Sequence, residues 1–340
     1  MRAHAMDRAG RASIRTCMQT YLVTGGAGFI GSHLVEALLR RGDRVRVLDD
    51  LSTGTLENLR AAETGAARTG AAVEYVRGTI EDFATCARVS NGVHGIFHEA
   101  AQVSVPRSIE DPLTSYRINV TGTQNILEGA RANGVRKVVF AASSAAYGNS
   151  ATLPKVESML PQPLSPYASG KVAGEHLLRV YAEVYGLQTV ALRYFNIFGP
   201  RQADDSPYTG VIAIFARALL EGRSAKIYGD GEQTRDFTYI ENVVAANLAA
   251  MDGDVEPGSV INIGGGRAVS INAIYARIAE ILDVRIAPTY EPARTGDVRD
   301  SLASIERARA SLQYAPRVTW EEGLARTVAW YRARVAVRSR

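Results

Sequence analysis

Residues 19–33 read Gln-Thr-Tyr-Leu-Val-Thr-Gly-Gly-Ala-Gly-Phe-Ile-Gly-Ser-His. The apolar run at 21–23 is typical of a short buried strand, and residues 29–41 have the periodicity of an amphipathic helix. Closely spaced glycines between strand and helix allow a sharp turn, and the free N–H groups at the helix start suit a pyrophosphate. The stretch therefore predicts a dinucleotide-binding turn. The residues predicted to contact the cofactor here are Gly25, Gly28, Phe29, Ile30 and Gly31.

An acidic pair, Asp49 and Asp50, follows the next apolar run at 45–48. At the end of a second strand, a carboxylate can accept hydrogen bonds from both ribose hydroxyls, and it repels a 2′-phosphate. We therefore predict that the cofactor is NAD rather than NADP and that Asp49 selects it. The alternative, an ordinary strand-turn-helix packing turn, would require no cofactor at all.

Apolar runs further along the chain alternate with helical patterns, which predicts a parallel, doubly wound α/β sheet of the Rossmann type. We predict an NAD-binding domain over residues 18–196 and a smaller α/β substrate lobe over 197–340, with returns to the first domain. A loop of small residues is expected at 61–72, and one long helix at 113–132. Four further residues are predicted beside the cofactor, after the third and fourth strands: Thr79, Ile80, Ala100 and Ala101.

The composition is ordinary for a globular protein of 340 residues, with 46% hydrophobic and 22% charged residues. No apolar run approaches the roughly 18 residues that would cross a membrane. The net charge is +4, but no basic run reaches five residues, so we expect no nucleic-acid partner. We predict neither a membrane partner nor a metal site.

Two cysteines, Cys17 and Cys86, give no disulfide framework and fit a reducing compartment. We therefore expect a cytoplasmic protein. Residues 1–17 contain several arginines but no apolar core, so they do not read as a secretory signal. We expect them to form a disordered extension.

Tyr167 and Lys171 stand four residues apart, which places them on one face of a helix. Ser143 is predicted at the carboxyl end of a strand, where ligands lie in open α/β sheets. A free tyrosine titrates near pH 10, so a tyrosine base at pH 7 needs help. A neighbouring ammonium and a positive nicotinamide ring both favour the phenolate. The trio therefore predicts a proton-transfer site next to the cofactor.

Together these residues resemble the extended short-chain dehydrogenase/reductase family, and within it the UDP-hexose 4-epimerases that act on UDP-glucose or UDP-N-acetylglucosamine. The resemblance covers about residues 18–331. It is carried by residues 25–31, 49–51, 98–101, 105–108, 119–123, 193–196, 229–231, 235–237 and 294–297, together with Ser143, Tyr147, Gly148, Tyr167 and Lys171.

The resemblance implies roles for matched residues. Tyr167 is implied to be the base, Lys171 its activator and a ligand of the cofactor ribose, and Ser143 the partner of the sugar 4-oxygen. Asn119 and Tyr194 are implied to contact the cofactor. The implied substrate residues are Asn196, Arg235 and Arg294 at the diphosphate, Tyr228 on the uracil, Asp297 at the uridine ribose, and Ser144 and Ser301 near the sugar. Thr79 departs from the family, which usually has an aspartate there.

Sugar-nucleotide dehydratases and decarboxylases of the same family carry acids just before the tyrosine of the Tyr-Gly pair. This chain has Ser144 and Ala145 there, and neither can transfer a proton as an acid would. The sequence thus favours 4-epimerisation through a transient 4-keto sugar. A UDP-glucuronate 4-epimerase, a 4-keto-sugar reductase and a non-catalytic NAD-binding protein stay open as alternatives.

The resemblance also implies a homodimer formed by helices at 113–132 and 166–185, and the second helix carries apolar residues that suit such an interface: Val172, Leu177, Val180 and Val184. It places Ser301 against C2 of the sugar, where a bulky tyrosine would favour plain hexoses. A serine leaves room for an acetamido group. We therefore expect N-acetylated UDP-hexoses to be substrates alongside the plain ones.

Overall fold

The structure is a computed structural model that describes residues 18–66, 73–203, 210–293 and 298–338. The predicted extension at 1–17 lies outside the described residues. The strands are β1 (Thr20–Thr24), β2 (Arg44–Asp49), β3 (Val73–Arg77), β4 (Gly95–His98), β5 (Lys137–Ser143), β6 (Gln188–Tyr194), β7 (Ile197–Phe198), β8 (Lys226–Tyr228), β9 (Thr234–Asp236), β10 (Thr238–Tyr239), β11 (Ser259–Ile263), β12 (Ala268–Ser270) and β13 (Thr289–Glu291).

The helices surround this framework. They are α1 (Phe29–Arg40), α2 (Leu56–Ala66), α3 (Phe83–Ser90), α4 (Val105–Glu110), α5 (Pro112–Tyr116), α6 (Thr123–Ala132), α7 (Pro166–Tyr185), α8 (Val211–Leu220), α9 (Ile240–Asp252), α10 (Ile271–Leu282), α11 (Glu306–Leu312) and α12 (Trp320–Arg338). In the part of the chain that is described, none of them combines the length and apolar character needed to span a membrane.

Seven strands form one parallel sheet in the order β11-β6-β5-β4-β1-β2-β3. Adjacent side chains point to opposite faces: Leu22 and Ile96 join a core with α3, α6 and α7, whereas Val23 and Phe97 join one with α1 and α9. The predicted doubly wound α/β fold is confirmed. The strand order reverses between β1 and β4, so their carboxyl ends open a ligand crevice.

The helical stretch predicted at 113–132 is interrupted by a wider turn. α5 passes into a π-helix over Arg117–Gly122 before α6 begins. The Asn119 amide lies in this turn, accepts from the Gln102 N–H at 2.9 Å and donates to the Gln102 carbonyl at 3.0 Å. The wider turn brings Asn119 against Gln102 beyond the end of β4, a feature that helical periodicity does not encode.

The loop predicted at 61–72 is wrong over its first half, because α2 continues to Ala66. Alanine is the strongest helix former, and Ala62 is fully buried. Small residues in this stretch therefore extend the helix and let it pack closely. Residues 67–72 lie outside the described part of the chain.

Beyond residue 196, the described residues form three two-stranded pairs: β7 with β10, β9 with β12, and β8 with β13. The chain also returns to the main sheet, since α9 covers one face and β11 pairs with β6. The division at residue 196 stays a prediction.

Candidate active site at the sheet edge

The glycine turn has the geometry that the sequence predicts. Gly25 has φ +67°, and a Cβ there would lie 2.8 Å from the Ala100 nitrogen. A Cβ on Gly31 would lie 2.2 Å from the Gly25 oxygen, so only glycine allows this packing. Gly28 is the N-cap of α1 and gives no side-chain cap. The first-turn N–H groups, at Phe29 and Ile30, are therefore available to an anion.

Asp49 lies buried at the end of β2 and braces this turn. Its Oδ2 accepts from the Ala27 N–H at 2.9 Å and its Oδ1 from the Leu51 N–H at 2.8 Å. Burial raises the pKa of Asp49, and these two hydrogen bonds oppose that rise. Each oxygen keeps a further lone pair for a ribose hydroxyl. Asp50 is exposed and accepts from the Ser52 N–H.

The chain after β3 supplies two of the residues predicted beside the cofactor, Thr79 and Ile80. Ile80 is buried against Gly122 of the π-helix, where an added Cβ would come within 2.6 Å of the isoleucine side chain. Thr79 accepts from the Glu81 N–H at 3.2 Å. A hydroxyl thus stands where the family has a carboxylate, and it stabilises its own turn.

Two buried acceptor atoms flank Ala100 and Ala101 after β4. Glu99 Oε2 and Gln102 Oε1 have no hydrogen-bond partner among the described residues. Such orphaned acceptors are costly unless a ligand or water satisfies them. A nicotinamide carboxamide and ribose hydroxyls offer donors of this kind, so the crevice fits the nicotinamide half of NAD. The contact of Asn119 with the cofactor stays a prediction.

Ser143, Tyr167 and Lys171 come together at the carboxyl edge of β5. α7 begins where the Ser165 hydroxyl caps the Ala168 N–H at 3.2 Å and Pro166 follows at the first helical position. Its first turns bring the Tyr167 phenol near the Ser143 side chain, which lowers the pKa of that phenol. Lys171 is buried, and its Nζ donates to the Ala141 carbonyl at 2.7 Å. The predicted proton-transfer trio is therefore one cluster.

The protein by itself does not lower the pKa of Tyr167. Burial raises it, and the hydrogen bond with Ser143 opposes the rise. Burial also lowers the pKa of Lys171 to about 8, against the raising effect of the Glu99 and Glu175 charges. Among the described groups, only the Ser143 side chain offsets the effect of burial on the pKa of Tyr167. The positive nicotinamide ring is the remaining charge that can favour the phenolate.

Glu99 lies in the 98–101 stretch, but no role is predicted for it from the sequence. Its Oε1 accepts from the Tyr194 hydroxyl at 2.9 Å, and burial raises its pKa to about 7, against the effects of that hydrogen bond and of Lys171. The Asn247 amide donates to the same tyrosine oxygen at 2.8 Å. Tyr194 is therefore fixed beside the predicted nicotinamide position. The available signal was an acid at the end of the buried strand β4.

Of the predicted substrate residues, Asn196, Arg235 and Ser301 lie at β9. The Asn196 amide donates to the Asp236 carbonyl at 3.2 Å. Arg235 Nη1 donates to the carbonyls of Thr234 and Arg299 at 2.8 and 2.9 Å. Ser144 is half-buried directly after Ser143, and Tyr228 ends β8. Arg294 and Asp297 lie outside the described residues. The roles of all these substrate residues stay predictions.

Comparison with known proteins identifies the family that this fold and site define. Residues 21–264 match the NAD dependent epimerase/dehydratase family, and the chain belongs to it. A UDP-glucose 4-epimerase of Mycolicibacterium smegmatis is 42% identical over 313 residues, 92% of this chain and 98% of the relative.

Two solved structures are similar in fold as well as in sequence. One is the UDP-N-acetylglucosamine 4-epimerase of Methanobrevibacter ruminantium M1 in complex with UDP-N-acetylmuramic acid, with a TM-score of 0.87, 37% identity and coverage of 93% of this chain and 99% of that one. The other is the UDP-glucose 4-epimerase of Thermus thermophilus in complex with NAD, with a TM-score of 0.82, 37% identity and coverage of 92% and 99%. The predicted family and the predicted NAD cofactor are confirmed.

Proposed function

We propose that this enzyme catalyses the NAD-dependent 4-epimerisation of UDP-hexoses. The observation that carries the proposal is the cluster of Ser143, Tyr167 and Lys171 at the cofactor crevice, beside positions 144 and 145 that hold no acid. One base is enough for epimerisation, whereas dehydration needs an additional acid. Several relatives are named as UDP-sugar 4-epimerases, and the crevice fits NAD. Both observations support the same reaction.

Tyr167 accepts the proton of the sugar 4-hydroxyl at its phenolate oxygen, while the Ser143 hydroxyl holds the same sugar oxygen in place. Held by the glycine turn at 25–31 and by Asp49, NAD would supply a reversible hydride acceptor for C4 of the sugar. The 4-keto sugar turns over while its UDP portion stays attached, and Tyr167 then returns the proton to the 4-oxygen. Lys171, fixed by the Ala141 carbonyl, keeps a positive charge near the phenolate throughout.

The UDP portion supplies most of the binding. Arg235 lies at the edge of the substrate lobe with its guanidinium fixed on two backbone carbonyls, and a guanidinium gives paired, charge-assisted hydrogen bonds to a diphosphate. Asn196 lies beside it at the end of β6. Because the contacts with UDP supply the affinity, the hexose can rotate and present either face to the cofactor.

The proposal is tested by incubating the purified enzyme with UDP-glucose, UDP-galactose, their N-acetylamino counterparts and UDP-glucuronate, and by following products with NMR. We expect C4 epimers to approach equilibrium with no net formation of NADH. Accumulated keto or dehydrated sugars, or stoichiometric consumption of reduced cofactor, would instead identify a dehydratase or a reductase.

Asp49→Ala is expected to weaken NAD binding by about tenfold or more, because a charged acceptor for the ribose hydroxyls is lost, and to allow NADP to bind. Fluorescence titration with both cofactors measures this. Asp49→Asn keeps an acceptor for the Ala27 N–H and so separates charge from loss of the turn. Unchanged NAD affinity in both variants, with no gain of NADP binding, would exclude Asp49 as the selecting residue.

Ser301→Tyr is expected to lower kcat/KM for UDP-GlcNAc and UDP-GalNAc far more than for UDP-Glc and UDP-Gal, because the phenol would fill the space next to C2. Ser301 is half-buried, and its backbone N–H is held by the Thr234 carbonyl at 3.1 Å, so the site can carry a defined contact. Steady-state kinetics on the four sugars measure the ratio. Equal losses would show that Ser301 does not distinguish the C2 substituent.

We further propose a homodimer in which α5, α6 and α7 pack against their copies across a twofold axis. Leu113 and Val184 are 76% and 65% exposed, Val180 is also exposed, and Val172 is buried inside the protomer instead. An apolar groove between these helices supports the proposal. It is lined by Pro112, Leu113, Tyr116, Val120, Pro166, Ser169, Gly170 and Ala173.

Val184→Glu is expected to convert this dimer to a monomer, because it places two charges in an apolar interface. Sedimentation velocity at micromolar concentration measures the change. Ile214→Glu is the control, since Ile214 is 42% exposed on the distant α8. A wild-type protein that sediments as a monomer would contradict the proposal.

A further inference from the structure

Residues 299–304 carry Ser301 and are held from two sides. On one side, the Ser301 N–H donates to the Thr234 carbonyl of β9 at 3.1 Å. On the other side, the Lys155 N–H donates to the Leu302 carbonyl and the Ser304 N–H to the Lys155 carbonyl, both at 2.8 Å. The backbone around Ser301 is therefore part of a hydrogen-bonded layer rather than a free loop.

The residue directly before Ser301 adds a side-chain clamp to this layer. Asp300 Oδ1 accepts from the Thr234 hydroxyl at 2.7 Å and from the Thr234 N–H at 3.2 Å. The Thr234 N–H also donates to the Arg299 carbonyl at 3.1 Å. The hydroxyl, the N–H and the carbonyl of Thr234 thus all form hydrogen bonds with residues 299–301.

The clamp adjoins the predicted diphosphate residue. Arg235 follows Thr234 in β9, and its Nη1 donates to the carbonyls of Thr234 and Arg299. The guanidinium contacts both chain segments that the Thr234–Asp300 pair joins. A single two-segment unit therefore carries one residue for the diphosphate and one for the sugar.

We propose that Thr234 and Asp300 are positioning residues of the sugar pocket. Their side-chain hydrogen bond fixes the backbone that carries Ser301 and thereby sets the selectivity for an acetamido group at C2. This inference rests on the proposed 4-epimerase function. Both side chains are half-buried, and the backbone hydrogen bonds remain when either is changed, so loss of the clamp loosens Ser301 without unfolding the lobe.

The test compares Thr234→Val, Asp300→Ala and the double variant with the wild-type enzyme. Each single change should lower the ratio of kcat/KM for UDP-GlcNAc to that for UDP-Glc by about three- to tenfold, the effect of one lost hydrogen bond. The double variant should show no further drop, because the two side chains act as one unit. Thr234→Ser keeps the hydroxyl, and its ratio of kcat/KM values should stay within about twofold of the wild-type ratio.

A second readout does not depend on turnover. Calorimetry should show that Thr234→Val weakens the binding of UDP-GlcNAc more than the binding of UDP itself. Three results would each contradict the proposed role of the clamp: equal losses of kcat/KM for both sugars, an equal loss of affinity for UDP and UDP-GlcNAc, or additive effects in the double variant. An enzyme that epimerises no UDP-hexose would instead overturn the proposed function, and the calorimetric comparison would still decide on the clamp.

Discussion

Tyr167→Phe should lower kcat by about a hundredfold to ten-thousandfold, because the phenol oxygen is the group that moves the 4-hydroxyl proton. The remaining ring keeps the packing of the first turn of α7, so the affinity for UDP-sugars should stay within about twofold. Steady-state kinetics and calorimetry on the same preparation measure the two effects. This combination of lost turnover and retained binding identifies a group that acts in the chemical step.

Tyr185→Phe is the matched control, since Tyr185 lies at the far end of the same helix and is 51% exposed. It should retain wild-type kcat. A Tyr167→Phe enzyme with more than about a hundredth of the wild-type rate would exceed what loss of a general base allows, and the base would have to be sought elsewhere in the crevice.

Glu175→Ala should lower the free energy of unfolding by about 3–5 kcal/mol, because it leaves a buried guanidinium without its counter-ion. Glu175 on α7 and Arg193 on β6 form a two-pronged pair, with both N–O distances 2.8 Å and both side chains buried. Arg193 Nη1 already lacks a partner among the described residues. Urea denaturation followed by circular dichroism measures the change.

Glu183→Ala provides the comparison, because its ion pair with Arg179 on the same helix is long, at 3.9 Å, and exposed. Such pairs contribute almost nothing measurable. Replacing Glu175 and Arg193 together with methionine should recover most of the stability, since no unpaired charge is left. If Glu175→Ala and Glu183→Ala lowered the free energy of unfolding by equally small amounts, the buried pair would not be what fixes α7 to the sheet.

Local patterns made much of this site predictable. The glycine turn, Asp49 and the Tyr167–Lys171 pair each lie within a short window, where strand and helix periodicity determines which groups share an edge. The structure places Asp49 against the glycine turn and Lys171 against the end of β5. Their individual roles stay predictions, because contacts with the cofactor and the sugar are made by atoms outside this chain.

Other features depend on pairs far apart in the chain. Glu99 meets Tyr194 across 95 residues, and Thr234 meets Asp300 across 66. No periodicity links such positions, because tertiary packing alone brings them together. The wide helical turn at Asn119 is not predicted from the sequence because it forms against a distant segment of backbone. The extension of α2 to Ala66 is not predicted because small residues occur both in helices and in loops.

The position of β11 has a consequence for how the protein is made. The sheet's outer strand on the β6 side is built from Ser259–Ile263, so a ribosome must synthesise more than three quarters of the chain before that edge is covered. Until then β6 presents open backbone groups to any neighbouring strand. Docking of this late strand is therefore the step at which the nascent chain leaves its aggregation-prone stage, and a truncation at the apparent domain boundary would never reach it.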